Sequence, residues 1–255
     1  MKTVAIVGQK GGCGKTTTAA AIGEGLKRDG ARVLFVDCDP QANLSYLMGA
    51  DVSGLATPST LDVLQRASTA ADAIQHTAAG DIIAASPALA GADITITQTG
   101  KEYRLKEALE ALAGAYNFIV IDTAPALGIA TINALTACDG CVIPSGPDFF
   151  SLQGVGQLRS TIDIVRQYCN PRLRVYGILL TRYNSRAVIG REVAAMLEET
   201  AAAMKTRLFD ARIRECTAVK EAQAMQQSIY SYAPRSNAAA DYTALLTELK
   251  TEMGV

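Results

Sequence analysis

The run Val4-Ala5-Ile6-Val7 ends at Gly8, and within a few residues the chain passes through Gly11-Gly12-Cys13-Gly14 into Lys15-Thr16-Thr17. A helical pattern then extends from Thr16 to Arg28. A short, wholly apolar run reads as a strand covered on both faces. Glycines let a backbone turn its N–H groups toward an anion where a Cβ would obstruct, and the helix that follows offers its positive N-terminal end to the same anion. Strand, glycine turn and helix in that order make a phosphate-binding loop. Lys15 is placed to reach the β- and γ-phosphates of a nucleotide and the Thr16 hydroxyl to ligate Mg²⁺. Gly11, Gly12, Gly14 and Thr17 are expected to bind the nucleotide with them, and Cys13 to contribute its backbone N–H alone.

Such a loop requires a parallel sheet behind it, and the chain supplies one. Val33-Leu34-Phe35-Val36, Phe118-Ile119-Val120-Ile121, Cys141-Val142-Ile143 and Val175 to Leu180 are further apolar runs with helical patterns between them. The pattern predicts an α/β fold with a doubly wound, mostly parallel sheet flanked by helices. No Pro/Gly/Ser-rich linker divides the 255 residues, so a single domain over 1–255 is expected, with 51–100 the least regular part and a place for insertions near the nucleotide face. Asp37, Asp39 and Asp122 each follow an apolar run, and carboxylates at the carboxyl ends of parallel strands converge where such sheets bind ligands.

The net charge of −1 demands neither nucleic acid nor membrane, but it is unevenly spread: −5 over residues 1–150 and +4 over 151–255. The basic second half permits an anionic partner. Six scattered cysteines, with no leader-like segment before them, suit a reducing, cytoplasmic setting. No apolar run approaches the roughly 18 residues of a membrane-spanning helix. Cys138 and Cys141 have C-x-x-C spacing, but no second pair or nearby histidine completes a zinc set, so they are expected to be structural. His76, the sole histidine, is expected on a surface helix without a partner. Tyr242, Leu245, Leu246, Leu249 and Met253 mark one face of a terminal helix whose polar face carries Glu248, Lys250 and Glu252. That face lacks the cationic bias of a membrane-surface helix, so packing against the sheet is expected.

One departure from the usual G-x-x-x-x-G-K-[ST] pattern is informative. Gln9 stands where the first glycine belongs, and Lys10 follows it as a second cation. A second cation beside transferring phosphate is useful mainly in the transition state. The resulting K-G-G-x-G-K-T-T is similar to the deviant Walker A loop of the ParA/MinD group of P-loop ATPases. Val36-Asp37-Cys38-Asp39-Pro40-Gln41-Ala42-Asn43 resembles the V-D-x-D-P-Q-x-N segment of the ParA/Soj partition ATPases, and Val120 to Pro125 resembles their Walker B strand. Gly177 to Asn184 and Val219-Lys220-Glu221-Ala222 match later family segments more loosely. The resemblance covers essentially the whole chain.

It implies an ATPase that uses ATP and Mg²⁺ and closes as a homodimer around two nucleotides. Lys10 would reach the partner's ATP. Asp39 would orient the attacking water, Asp37 would support metal and Lys10, and Asp122 would hold Mg²⁺ through water. Backbone at Arg214 and Cys216, together with Asn184, would contact the adenine. The family often carries acidic residues where Asp148 and Gln153 stand, and the glutamine alters one contact of the interface or switch. Arg182, Arg186, Arg191 and Arg212, Arg186 foremost, would hold DNA non-specifically, because phosphate contacts need only charge and reach. A ParB-like protein would stimulate hydrolysis and release the DNA, which implies a nucleoid-associated cytoplasmic protein. The first strand begins at about residue 3, so the long DNA-reading extension of larger relatives is not expected. The alternatives are a MinD-like membrane-associated regulator and, further off, an iron–sulfur scaffold ATPase using Cys138 and Cys141.

Overall fold

A computed structural model of the chain describes residues 1–184 and 187–255. Its strands are β1 (Lys2–Ile6), β2 (Val33–Cys38), β3 (Ile74–Thr77), β4 (Gly80–Ile83), β5 (Phe118–Thr123), β6 (Gly140–Ser145) and β7 (Arg174–Leu180). They form one sheet in the order β3-β4-β2-β5-β1-β6-β7. Every neighbouring pair is parallel except β3–β4, an antiparallel hairpin at the edge. All five apolar runs read from the sequence are strands. The β3–β4 hairpin is the addition. It falls in the stretch taken as least regular, and His76 lies on strand β3 rather than on a helix. There its Nδ1 is 2.7 Å from Asp81 Oδ1, so it also has a partner. Ile74-Gln75-His76-Thr77 carries no apolar run because an edge strand need not be covered on both faces.

The helices are α1 (Lys15–Arg28), α2 (Asn43–Leu47), α3 (Thr60–Gln65), α4 (Ala92–Thr95), α5 (Arg104–Glu110), α6 (Ile129–Ala137), α7 (Phe149–Tyr168), α8 (Val188–Ala203), α9 (Thr217–Ala224), α10 (Ile229–Tyr232) and α11 (Asn237–Met253). They cover both faces of the sheet, and the strand side chains divide between two cores. Ala5, Leu34, Val36, Ile119 and Ile121 pack with α3 and α5 to α8, whereas Val4, Ile6, Phe35 and Val120 pack with α1, α2 and α9 to α11. Alternation along each strand with apolar residues on both sides is what a doubly covered sheet demands.

Two glycines fix α1 in place. A Cβ at Gly23 would lie 2.1 Å from the Phe35 ring, and one at Gly25 would lie 2.7 Å from Leu246 Cδ2. The apolar face of α11 is wholly engaged: Leu245 and Leu249 are 0% exposed and Tyr242 2%. The Glu248 carboxylate accepts from the Ala211 N–H at 2.7 Å and the Asp210 N–H at 2.9 Å. Among the described residues no helix is long and apolar enough to cross a membrane.

Candidate nucleotide site

The sheet order sets the site. The chain leaves β1 for β2 and later inserts β5 between them, so the loops after β1, β2 and β5 open side by side at the carboxyl ends of the strands. Register aligns their chemistry: Asp37 on β2 pairs with Asp122 on β5, and Asp122 pairs with Ile6 at the end of β1.

The loop after β1 has the geometry its glycines allow. Gly12 and Gly14 have φ of +76° and +89°, the left-handed region that a side chain resists. Gly14 is the residue before α1, and no acidic side chain occupies the first turn of that helix, so its positive end faces the cavity unneutralised. The loop is braced from behind by the Thr181 hydroxyl, which donates to Cys13 O at 2.8 Å and lies 3.2 Å from Ser145 O. Lys15 is 6% exposed and donates to Lys10 O at 3.1 Å, which curls its ammonium over the loop. Cys13 turns its buried thiol inward toward Gly8, and burial pushes that thiol up.

A cavity of about 570 Å³ opens over this loop. Gly11, Gly12, Gly14, Lys15, Thr16 and Thr17 form its phosphate end, with Asp39 beside them. The opposite wall comes from Ile213 to Cys216 and from α9, so Arg214 and Cys216 do reach the cavity. Asn184 does not line it. Arg214 is tied back by Asp241 of α11, with Nη2 to Oδ1 at 2.6 Å and its backbone N–H to Oδ2 at 2.9 Å.

The three aspartates differ in environment. Asp37 is fully buried and both of its oxygens are engaged: Oδ1 by the Asp39 N–H at 3.0 Å, and Oδ2 by the Ser45 N–H at 2.9 Å and hydroxyl at 2.7 Å. Burial nonetheless pushes it up to about 6, against the pull of these donors. Asp39 is 6% exposed, accepts from the Gln41 N–H at 3.0 Å, and faces the cavity. Asp122 is fully buried and its Oδ2 has no hydrogen-bond partner. Burial and then the Asp37 charge push it well above the usual carboxylate range, with Thr16 and Lys15 acting the other way. An orphaned carboxylate oxygen next to a threonine hydroxyl and a phosphate loop fits a hydrated divalent cation, and Asp122, unlike Asp37, has a buried oxygen to offer. No sequence pattern marked Ser45, and Thr181 was covered only by the loose Gly177 to Asn184 match, because both act through backbone and carboxylate contacts that only the fold brings together.

Lys10 points away from its own cavity. Its Nζ is 2.6 Å from Asp148 Oδ1, and Asp148 also caps α7 by accepting from the Ser151 N–H at 3.1 Å and hydroxyl at 2.8 Å. Burial would raise Asp148, but Lys10 and Ser151 outweigh it and hold the carboxyl below its ordinary value. Phe149 and Phe150 stand beside this pair, 63% and 72% exposed.

The arginines expected to hold DNA are partly neutralised. Arg182 is 3.9 Å from Glu215, and Arg212 is 3.7 Å from Glu198 and lies over the Tyr183 ring. Arg191 is on α8. Arg186 lies outside the described residues. Cys138 and Cys141 are 3% and 0% exposed. Burial pushes Cys141 up to about 12 and Cys138 well above the ordinary thiol value, which leaves both as protonated core thiols.

Residues 1–175 match the family described as an AAA domain. The chain is 38% identical over 251 residues to the sporulation initiation inhibitor protein Soj of Bacillus subtilis, covering 97% of this chain and 98% of that protein. It is 38% identical over 237 residues to the chromosome partitioning protein ParA of Caulobacter vibrioides, covering 91% and 87%. Among solved structures, cobyrinic acid a,c-diamide synthase from Mycobacterium smegmatis with bound ADP and magnesium superposes with a TM-score of 0.85 at 32% identity, covering 100% of this chain and 97% of that one. A second structure of that protein holds an ATP analog and magnesium.

Proposed function

Because the chain belongs to the Soj/ParA family of P-loop ATPases, we propose that it is a partition ATPase whose ATP site is completed by a second copy of itself. That it is an ATPase using ATP and Mg²⁺ follows from the family. The observation that carries the finer reading is Lys10: the extra cation of the loop is directed away from its own cavity, toward Asp148 and the exposed Phe149–Phe150 surface. A cation aimed outward beside its own nucleotide is available to a neighbour's.

In this reading the loop N–H groups and Lys15 bind the phosphates, and Thr16 with Asp122 holds Mg²⁺. The ion, when bound, neutralises charge on the transferring group. Asp39 orients the attacking water, which requires it to face the cavity without being spent on an internal ion pair. Asp37 holds Asp39 through the Asp39 N–H. Lys10 from the second copy stabilises charge in the transition state. The ATP-bound dimer holds DNA through phosphate contacts from Arg182, Arg186, Arg191 and Arg212, and a ParB-like partner ends that state by stimulating hydrolysis. The protein is then associated with the nucleoid.

The test is retention of a random-sequence duplex with ATP, with ADP and without nucleotide, at stated salt. Retention with ATP alone is expected. Equal retention in all three conditions removes the switch.

A further inference from the structure

Thr17 occupies the first turn of α1 and lines the nucleotide cavity. A hydroxyl has one hydrogen to give and can accept in addition. Threonines inside helices often spend that hydrogen on the carbonyl four residues back, and this chain does so repeatedly: Thr136 donates to Ile132 O, Thr200 to Met196 O and Thr243 to Ala239 O, each at 2.8 Å. For Thr17 the equivalent carbonyl is Cys13 O, which already accepts from the Thr181 hydroxyl at 2.8 Å. Thr17 has a different partner. Gln223, 206 residues away on α9, donates its Nε2–H to Thr17 Oγ1 at 2.8 Å.

We propose that Gln223 is a positioning residue for nucleotide binding: by donating to the Thr17 oxygen, it leaves the Thr17 hydroxyl hydrogen for a nucleotide phosphate. Two contacts cooperate. Thr181 competes for the carbonyl that would otherwise draw that hydrogen inward, and Gln223 donates to the Thr17 oxygen. Gln223 is well placed for the task because α9 is a wall shared by two cavities. One is the nucleotide cavity. The other is a largely apolar cavity of about 290 Å³ behind α1, which Thr17, Val219 and Gln223 also line. The same helix begins directly after Arg214 to Cys216, so one element spans both ends of the nucleotide cavity.

The inference rests on Thr17 meeting the nucleotide's phosphates, and the experiment separates the two ideas. ATP and ADP affinities are measured by calorimetry, with kcat at saturating ATP, for Thr17→Val, Gln223→Met, Gln223→Glu and both doubles. A hydrogen bond to a charged acceptor sets the scale, so Thr17→Val should weaken both nucleotides by about tenfold. Gln223→Met keeps the length and loses the donor. It should weaken both by about threefold to tenfold, leave kcat within about twofold, and add nothing in the Thr17→Val background. Gln223→Glu reverses the polarity and should weaken binding more than Gln223→Met. In the Thr17→Val background it should retain only the part due to its charge. Melting temperature checks that each variant is folded, and Gln223→Glu serves if Gln223→Met is not. Unchanged affinity in Gln223→Met alongside a weakened Thr17→Val overturns the role of Gln223 alone. Losses that add in full in the Gln223→Met double overturn it too, since Gln223 would then act by another route. Unchanged affinity in Thr17→Val overturns the placement of Thr17.

Discussion

Asp37 and Asp122 are neighbours across β2 and β5, both without solvent exposure, and Lys15 acts on Asp122 without outweighing its burial. Burial raises Asp37 to about 6 and pushes Asp122 well above the usual carboxylate range. A carboxyl whose folded value lies above its unfolded value binds protons more tightly when folded. Its contribution to stability is therefore full below the unfolded value near 4 and is lost as pH rises through the folded value. For Asp37 that window runs from about pH 4 to about pH 6. The nucleotide-free, metal-free protein should melt a few degrees higher at pH 5 than at pH 7. Mg²⁺ with ATP, by setting positive charge beside Asp122, should remove most of the difference. Calorimetric melting at the two pH values, with and without Mg–ATP, checks this, and a stability that rises from pH 5 to pH 7 without ligand contradicts it. Asp39 is different in kind, because it faces the cavity, where one oxygen accepts from the Gln41 N–H. Asp39→Ala should still bind ATP while hydrolysis falls by about 10² or more, the scale of a lost proton-handling or water-orienting group. Single-turnover hydrolysis beside ATP titration separates those outcomes.

At the scale of elements, α1 and α11 show what could and could not be read in advance. The apolar stripe of α11 pointed to packing, and the stripe is buried throughout. Vesicles of anionic lipid should accordingly fail to sediment the protein, with or without ATP. The β3–β4 hairpin escaped notice because an edge strand lacks the unbroken apolar run of a central one, and His76 was read onto a helix for the same reason. The turn that carries Lys10, Cys13 and Thr17 was legible in advance, since Gly12 and Gly14 stand at positive φ for local reasons. What pairs with them was not: Asp148 for Lys10, Gln223 for Thr17 and Thr181 for Cys13 are each more than 130 residues away and carry no periodicity. The glycines of α1 were similarly silent. Gly23 and Gly25 are poor helix formers kept because Phe35 and Leu246 occupy the space a side chain would need. Gly23→Ala should improve intrinsic helix propensity yet destabilise by about 1–3 kcal/mol, as overpacked cores do. Denaturant unfolding gives the sign directly, and a more stable variant would show that the ring can yield.

At the scale of the molecule, Lys10 and Asp148 form a choice between two partners. In the isolated chain the Lys10 ammonium is held by a carboxylate that also caps α7, and the pair is 38% and 41% exposed in its side chains. A pair so exposed is worth about 0–1 kcal/mol. Such a restraint is easily exchanged for a second copy's triphosphate, yet it still competes with it. Asp148→Asn is the informative change. Asparagine caps a helix about as well as aspartate, so α7 should keep its start while Lys10 loses its counter-charge. If Lys10 completes the partner's site, removing its rival should let the dimer form at lower ATP, by up to about fivefold at the upper end of that energy range. Lys10→Ala should bind ATP and remain monomeric. Sedimentation velocity across an ATP titration, with Asp39→Ala as background to prevent turnover, reads both variants on one scale. Weaker dimerisation in Asp148→Asn with α7 intact would instead place Asp148 within the dimer contact, holding Lys10 in its working position.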